Sequence, residues 1–135
     1  MSERTLTLKI VTPEDVVVES TVRSVRLPGA DGSIGVLPRH APMVALTESG
    51  MLSARTTDGS ETAWVVHDGF AEVRDDVVTV LTRAAEDPQK IDAERAREAA
   101  RRARERLRVT RADIDNARAV AALRRALARE RFARR

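Results

Sequence analysis

Apolar and polar residues alternate in short runs over the first 85 residues of the chain. Leu6, Leu8 and Ile10 are separated by Thr7 and Lys9, which is the two-residue period of a half-buried strand. Similar runs, separated by turn-forming residues, follow at 16–25, 51–56, 62–67, 70–74 and 77–81. Several short strands at close spacing predict an antiparallel β-sandwich or barrel for this part of the chain.

The pattern changes after residue 85, where alanine, arginine and glutamate replace the β-branched residues. Asp87 followed by Pro88 is typical of a helix cap and the first helical position. Apolar residues then recur along one helical stripe, at Ile91, Ala96, Ala100, Ala103 and Leu107. A break near residues 108–110 precedes a second helical segment, from about residue 111 to about residue 131, so we predict a two-helix hairpin. The sequence thus divides into a β-sandwich over 1–86 and a helical hairpin over 87–135.

Charge is distributed unevenly on the two sides of the change in pattern after residue 85. Residues 1–85 contain 8 basic and 12 acidic residues, whereas residues 86–135 contain 16 basic and 9 acidic residues. The second part therefore carries a net charge of +7, which favours an acidic partner such as nucleic acid, anionic lipid, nucleotide or an acidic protein segment.

Composition narrows the chemistry further. The chain has 135 residues, of which 42% are hydrophobic and 33% charged, so we expect a folded protein. It has no cysteine, which excludes disulfides and thiolate metal sites. The N-terminus lacks the features of a signal peptide, and no apolar stretch approaches the roughly 20 residues that span a bilayer. We expect contact with a membrane only through partners or the surface.

The segment from residue 27 to residue 44 is rich in glycine and proline and predicts a series of tight turns. Its glycines are not followed by the Lys and Ser or Thr of a phosphate loop. His40 could be a ligand or a base, but the only other histidine is His67 and no cysteine is present. We therefore expect no metal site, no catalytic residues and no enzymatic activity.

This glycine-proline segment closely resembles that of the ATP synthase epsilon subunit family, whose mitochondrial members are called delta. Residues 69–73, 77–81 and 84–86 resemble the end of the family's β domain, 91–96 the start of its hairpin, and 122–129 its final helix. The resemblance covers almost the whole chain in the right order. It implies a ten-stranded β-sandwich followed by a two-helix hairpin.

The resemblance also implies a function. The chain would be a non-catalytic rotor subunit of the central stalk, which couples proton translocation to ATP synthesis and inhibits ATP hydrolysis through its C-terminal helices. Its partners would be the gamma subunit, the c-ring and the alpha and beta subunits, at the cytoplasmic side of a bacterial cell membrane. Part of the surface facing gamma and the c-ring would be Ser33, Ile34, Gly35, Val36, Leu37, Pro38, Arg39, His40, Ala41, Pro42 and Met43.

In the family, an acidic segment of the beta subunit lies near the extended hairpin. The residues of this chain expected to contact it are Arg124, Arg125, Arg129 and Arg131. The alternative is that these arginines are solvated faces of a helix with weak ion pairs, such as Glu98 with Arg102 four residues on.

Some bacterial members of the family bind ATP through two short motifs in the hairpin. Residues that match or neighbour these motifs here are Glu86, Ile91, Asp92, Arg95, Ala96, Arg125 and Arg129. Asp92 would accept a hydrogen bond from adenine or ribose, and the arginines would pair with phosphates. Such ATP, with or without magnesium, would be regulatory. The alternative is that Asp92 only favours the helix N-terminus.

A nucleic-acid-binding module is the competing function, because an arginine-rich tail attracts phosphates. Acidic residues interrupt that tail, however, and Trp64, Phe70 and Phe132 are too scattered to form a stacking platform. The family resemblance is therefore the preferred interpretation.

Overall fold

The computed structural model of the chain describes residues 4–109 and 113–134. It divides the chain into two compact units, Met1–Glu86 and Asp87–Arg135. The first unit is a β-sheet structure and the second consists of helices. The fold class predicted from the sequence, a β unit followed by a helical hairpin, is confirmed, but one strand pair, Leu6–Val11 with Val77–Thr82, is parallel and not antiparallel.

Nine strands form the sheet unit in the described part of the chain, where the resemblance implied ten. They are β1 (Leu6–Val11), β2 (Val16–Gly29), β3 (Gly32–Val36), β4 (Met43–Thr47), β5 (Gly50–Thr56), β6 (Glu61–Val66), β7 (Gly69–Arg74), β8 (Val77–Thr82) and β9 (Ala85–Glu86). Their hydrogen-bonded order is β1-β8-β7-β4-β2-β5-β6-β9, with β3 paired to β2. β1 also pairs with β2, so the sheet path returns to its start around a core.

The core of the sheet unit is aliphatic. Alternation along β1 buries Leu6, Leu8 and Ile10 to 1% exposure or less, because successive side chains on a strand point to opposite faces. Buried valines and leucines of the other strands pack against them, among them Val22, Val25, Leu27, Val36, Leu52, Val73, Val78 and Val80. Each contributes roughly 1.5–3 kcal/mol of hydrophobic stabilisation.

The glycine-proline segment contains more regular structure than the sequence predicted. β2 continues to Gly29 and turns back at Gly32 into β3, so residues 27–36 form a β-hairpin and not only tight turns. A Cβ atom on Gly29 would lie 2.6 Å from the carbonyl oxygen of Gly32 and 2.7 Å from Cδ1 of Ile34. Glycine is required there because the two strands approach too closely for any side chain.

The loop between β5 and β6 is closed by Asp58. Its carboxylate accepts hydrogen bonds from the hydroxyl of Thr56 and from the backbone and hydroxyl of Ser60. These bonds lower the pKa of Asp58 to about 2, and the bond from Thr56 has the largest effect. They do so because they stabilise the charged form. The predicted hairpin loop is thus held by local polar contacts.

The helical unit begins with a 3₁₀ turn at Pro88–Lys90, followed by α1 (Ala93–Val109) and α2 (Asp113–Phe132). Asp87 caps the turn by accepting from the backbone nitrogen of Gln89 at 2.9 Å, as predicted. The break predicted at residues 108–110 is wrong for Arg108 and Val109, which belong to α1, and Thr110 lies outside the described residues. None of the described helices combines the length and apolar character needed to cross a bilayer.

Contacts within the helical unit establish an antiparallel hairpin. The backbone nitrogen of Arg134, after α2, donates to the carbonyl of Pro88 at 2.8 Å. Arg97 of α1 lies 3.9 Å from Glu130 of α2. Among the helix residues whose burial the structure describes, 93–109 and 116–132, the buried positions are alanines, namely Ala96, Ala100, Ala103, Ala119, Ala126 and Ala128.

Glu98 has two arginine neighbours on α1. Its close ion pair, at 2.6 Å, is with Arg101, three residues on, and the hydrogen bond from Arg101 is the main cause that lowers the pKa of Glu98, to which the charge of the expected partner Arg102 also contributes. Both spacings place two side chains on the same side of a helix, so the sequence alone does not choose between them.

Candidate partner-binding surfaces

The outer face of the sheet unit carries a row of exposed apolar side chains. Leu46 of β4 lies opposite Phe70 of the neighbouring strand β7. Phe70 in turn lies opposite Leu81 of β8. They are 58%, 52% and 49% exposed. The row continues through Val11 of β1, which is half-buried, to Val16 of β2, which is 53% exposed. We call these five residues the apolar row.

The apolar row results from strand alternation. In β7 and β8 the inward positions are taken by Ala71, Val73, Val78 and Val80, which are fully buried. The outward positions of a half-exposed sheet are normally polar, yet Phe70 and Leu81 occupy them. Contiguous exposed apolar surface usually marks a site of protein–protein contact. Our sequence interpretation missed this row, although apolar residues at both inward and outward positions of one strand would have indicated it.

The segment from Ser33 to Met43, predicted to face partners, includes β3 and the loop before β4. Leu37 is 64% exposed at the end of β3. Ser33, Gly35, Ala41 and Pro42 are also exposed, and Ile34, Pro38 and Met43 are half-buried. Val36 has no exposed surface, so it anchors the segment in the core and offers no contact of its own.

Local hydrogen bonds hold this loop in shape. Arg39 adopts a left-handed backbone conformation with φ of 68°, and its backbone nitrogen donates to Oδ1 of Asp76 at 2.6 Å. The backbone nitrogen of His40 donates to the carbonyl of Leu37 at 3.1 Å. Its ring Nδ1 lies 2.7 Å from the carbonyl of Ala41, to which it must donate. His40 therefore has a local structural contact.

The four arginines predicted to meet an acidic partner lie on two faces of α2. Arg124 and Arg131 are exposed, whereas Arg125 and Arg129 are half-buried. Residues seven positions apart share one helix face, so Arg124 and Arg131 belong together. Leu127, 37% exposed, lies between them along the chain. The guanidinium of Arg131 stacks 5.0 Å from the ring of Phe132.

The residues predicted to hold ATP belong to both units. Glu86 is in β9 of the sheet unit, and its Oε1 lies 2.8 Å from Nε2 of His67. Asp92 caps α1 by accepting from the backbone nitrogen of Arg95 at 3.1 Å, which is the capping role that we gave as the alternative. Of the motif residues in the helical unit, Arg95 is exposed, Ile91, Arg125 and Arg129 are half-buried, and Ala96 is buried.

Within residues 4–109 and 113–134, no group of three or more histidine, cysteine or acidic side chains is arranged to hold a metal ion. The chemistry that the described surface offers is apolar contact on the sheet unit and positive charge on the helical unit.

Two family profiles match consecutive parts of the chain. The profile described as "ATP synthase, Delta/Epsilon chain, beta-sandwich domain" matches residues 5–88. The profile described as "ATP synthase, Delta/Epsilon chain, long alpha-helix domain" matches residues 89–133.

Curated relatives agree with these profiles. An ATP synthase epsilon chain from Moorella thermoacetica is 44% identical over 124 residues, which cover 92% of each chain. One from Symbiobacterium thermophilum is 46% identical over 129 residues, covering 95% of this chain and 92% of the relative.

Solved structures share the fold at lower identity. A chain of the Euglena gracilis mitochondrial ATP synthase, solved as OSCP, F1 and c-ring, superposes with a TM-score of 0.82 at 23% identity, covering 94% of this chain and 80% of that chain. A chain of the Tetrahymena thermophila mitochondrial ATP synthase central stalk and c-ring superposes with a TM-score of 0.72 at 10% identity, covering 99% of this chain and 100% of that chain.

Proposed function

Since the chain belongs to the ATP synthase delta/epsilon chain family, we propose that it is the epsilon subunit of an F-type ATP synthase. In this role it is a non-catalytic part of the central stalk that helps to couple proton translocation to ATP synthesis. It associates with the cytoplasmic side of a bacterial membrane through the other subunits. The observation that carries the proposal on this chain itself is the apolar row.

The apolar row is suited to bind the gamma subunit. Leu46, Phe70 and Leu81 lie side by side on three neighbouring strands, each about half exposed. The centre of a permanent subunit interface is apolar and enriched in aromatic residues, and the apolar row offers a surface of this kind. The loop that follows β3, with Leu37 exposed, supplies a second contact, which we assign to the c-ring.

A binding experiment tests this assignment against the nucleic-acid alternative. The purified chain should form a stable complex with the gamma subunit that persists at high salt, because apolar contact is not screened. Binding to duplex DNA should be weak and should fall steeply with salt. Failure to bind gamma, together with tight DNA binding, would reverse the choice between the two functions.

We assign the regulatory role to the helical unit. Its net charge of +8, from 16 basic and 8 acidic residues over 87–135, and the exposed Arg124 and Arg131 favour an acidic segment of the beta subunit, where the hairpin opposes ATP hydrolysis. Deletion of residues 87–135 should raise the ATPase activity of the assembled complex. Unchanged hydrolysis at several ATP concentrations would show that the hairpin is not a brake.

Regulatory ATP binding is a separate part of the proposal. Arg95, Arg125 and Arg129 supply positive charge for phosphates, Asp92 supplies an acceptor for adenine or ribose, and Glu86 is an additional acceptor. Calorimetric titration of the isolated chain with ATP, with and without magnesium, tests it directly. An absence of heat from the unmodified chain would end this part and leave the stalk assignment intact.

A further inference from the structure

A buried histidine holds the last strand of the sheet unit. His67 has no exposed surface, and both of its ring nitrogens have partners. Nδ1 lies 3.1 Å from Oγ of Ser49, and Nε2 lies 2.8 Å from Oε1 of Glu86. Because a carboxylate only accepts hydrogen bonds, Nε2 carries a hydrogen and donates it to Glu86, and the hydroxyl of Ser49 either donates to Nδ1 or accepts from it.

The backbone of His67 is fixed just as firmly. Its nitrogen donates to Oγ1 of Thr82 at 2.9 Å, and that hydroxyl lies 2.8 Å from the carbonyl of His67 and 3.0 Å from that of Ala84. Thr82 is 4% exposed. The backbone of His67 therefore cannot shift without breaking buried hydrogen bonds, each of which is costly to leave unmade.

The strand that receives this contact is short. β9 consists of Ala85 and Glu86, which pair with Val66 and Val65 of β6. Two residues of ladder stabilise a strand weakly, so side-chain contacts decide whether it stays on the sheet. Directly after Glu86 the chain enters the helical unit, and β9 is thus the last segment that belongs to the sheet unit.

We propose that the hydrogen bond from His67 to Glu86 is a latch that keeps β9 on the sheet, and that β9 detaches when this bond opens. Opening releases two residues, which lengthen the connection to the helical unit by at most about 7 Å. That consequence for the hairpin rests on the regulatory role proposed above. The latch itself rests only on contacts within the sheet unit, so it is testable without any partner subunit.

Two substitutions of His67 distinguish the loss of the hydrogen-bond donor from the loss of the imidazole ring itself. The amide nitrogen of glutamine reaches the position of Nε2, whereas the amide of asparagine reaches only that of Nδ1. Successive residues of an antiparallel ladder alternate between bonded and unbonded pairs, so the amide to follow is the one, of Ala85 and Glu86, that donates to β6. We expect His67→Asn to speed its hydrogen exchange by about tenfold, the effect of losing one hydrogen bond to a charged group. His67→Gln should change it by less than about threefold, because the donor remains.

The Leu8 amide, in the core strand β1, is the internal control and should exchange at the wild-type rate. Equal acceleration at Leu8, equal acceleration by both variants, or no acceleration by His67→Asn would each overturn the latch. If His67→Asn does not fold, nitrogen chemical shifts of His67 in the unmodified chain decide. A hydrogen on Nε2 supports the latch, and a neutral ring protonated only at Nδ1 refutes it.

Discussion

Replacement of Phe70 by threonine is the most direct test of the apolar row. Phe70 is 52% exposed in the isolated chain, and an aromatic side chain offers 150–250 Å² for burial, so about 100 Å² remains available to a partner. At about 25 cal/mol per Å², covering this area contributes about 2.5 kcal/mol, or roughly 60-fold in affinity. We therefore expect Phe70→Thr to weaken gamma binding by roughly 60-fold.

The fold should survive this substitution. Threonine is compatible with a strand, and the lost cross-strand contacts with Leu46 and Leu81 are worth about 1 kcal/mol or less each. Affinity is measured by surface plasmon resonance below the melting temperature of the variant. Phe70→Leu, which keeps the apolar surface, and Val109→Thr, which alters a 68% exposed residue of the helical unit, are the controls. Unchanged affinity of Phe70→Thr would refute the assignment of the row to gamma.

Three further predictions concern single residues. Arg39→Gly should stabilise the chain by about 1 kcal/mol in denaturant unfolding, because it relieves the left-handed backbone; a lower midpoint would contradict this. The pKa of Asp58 is lowered to about 2 in the fold, so its contribution to stability is present above about pH 4 and lost from pH 4 to pH 2; unfolding curves of Asp58→Asn should lack that loss. Arg95→Ala and Arg129→Ala should weaken ATP binding in calorimetry, whereas Arg104→Ala should bind as the unmodified chain does.

The strands were predictable because burial on one face imposes a two-residue period, as Leu6, Leu8 and Ile10 show. The exceptions have physical causes. The hairpin formed by β2 and β3 was hidden because glycine and proline normally interrupt strands, whereas Gly29 is required there by the close approach of Gly32. The pairing of β1 with β8, which is parallel, joins residues about 70 positions apart along the chain, and no local pattern records such a contact.

The candidate sites were less predictable than the fold. The resemblance pointed to Ser33–Met43, but exposure depends on tertiary packing, and Val36 lies in the core. Asp92 was compatible with either ligand binding or capping, and its bond to the nitrogen of Arg95 satisfies the capping role. His67 had no sequence signal at all, since its partners Ser49 and Glu86 come from distant positions.

Each buried side chain contributes more hydrophobic stabilisation in the sheet unit than in the helical unit, and this difference favours the division of roles proposed here. A buried leucine or valine contributes about 1.5–3 kcal/mol, and each buried methylene group about 0.8 kcal/mol. Alanine has a single side-chain carbon, so its burial contributes less than that of leucine or valine. The sheet unit buries residues such as Leu8, Ile10 and Val22, while the buried apolar residues of the described helices are alanines such as Ala96 and Ala126. Packing between alanines therefore costs less to open. Elements that move in regulation are drawn from the less stable parts of a protein, so the helical unit is the part suited to change conformation, and the sheet unit is the part suited to hold a permanent partner.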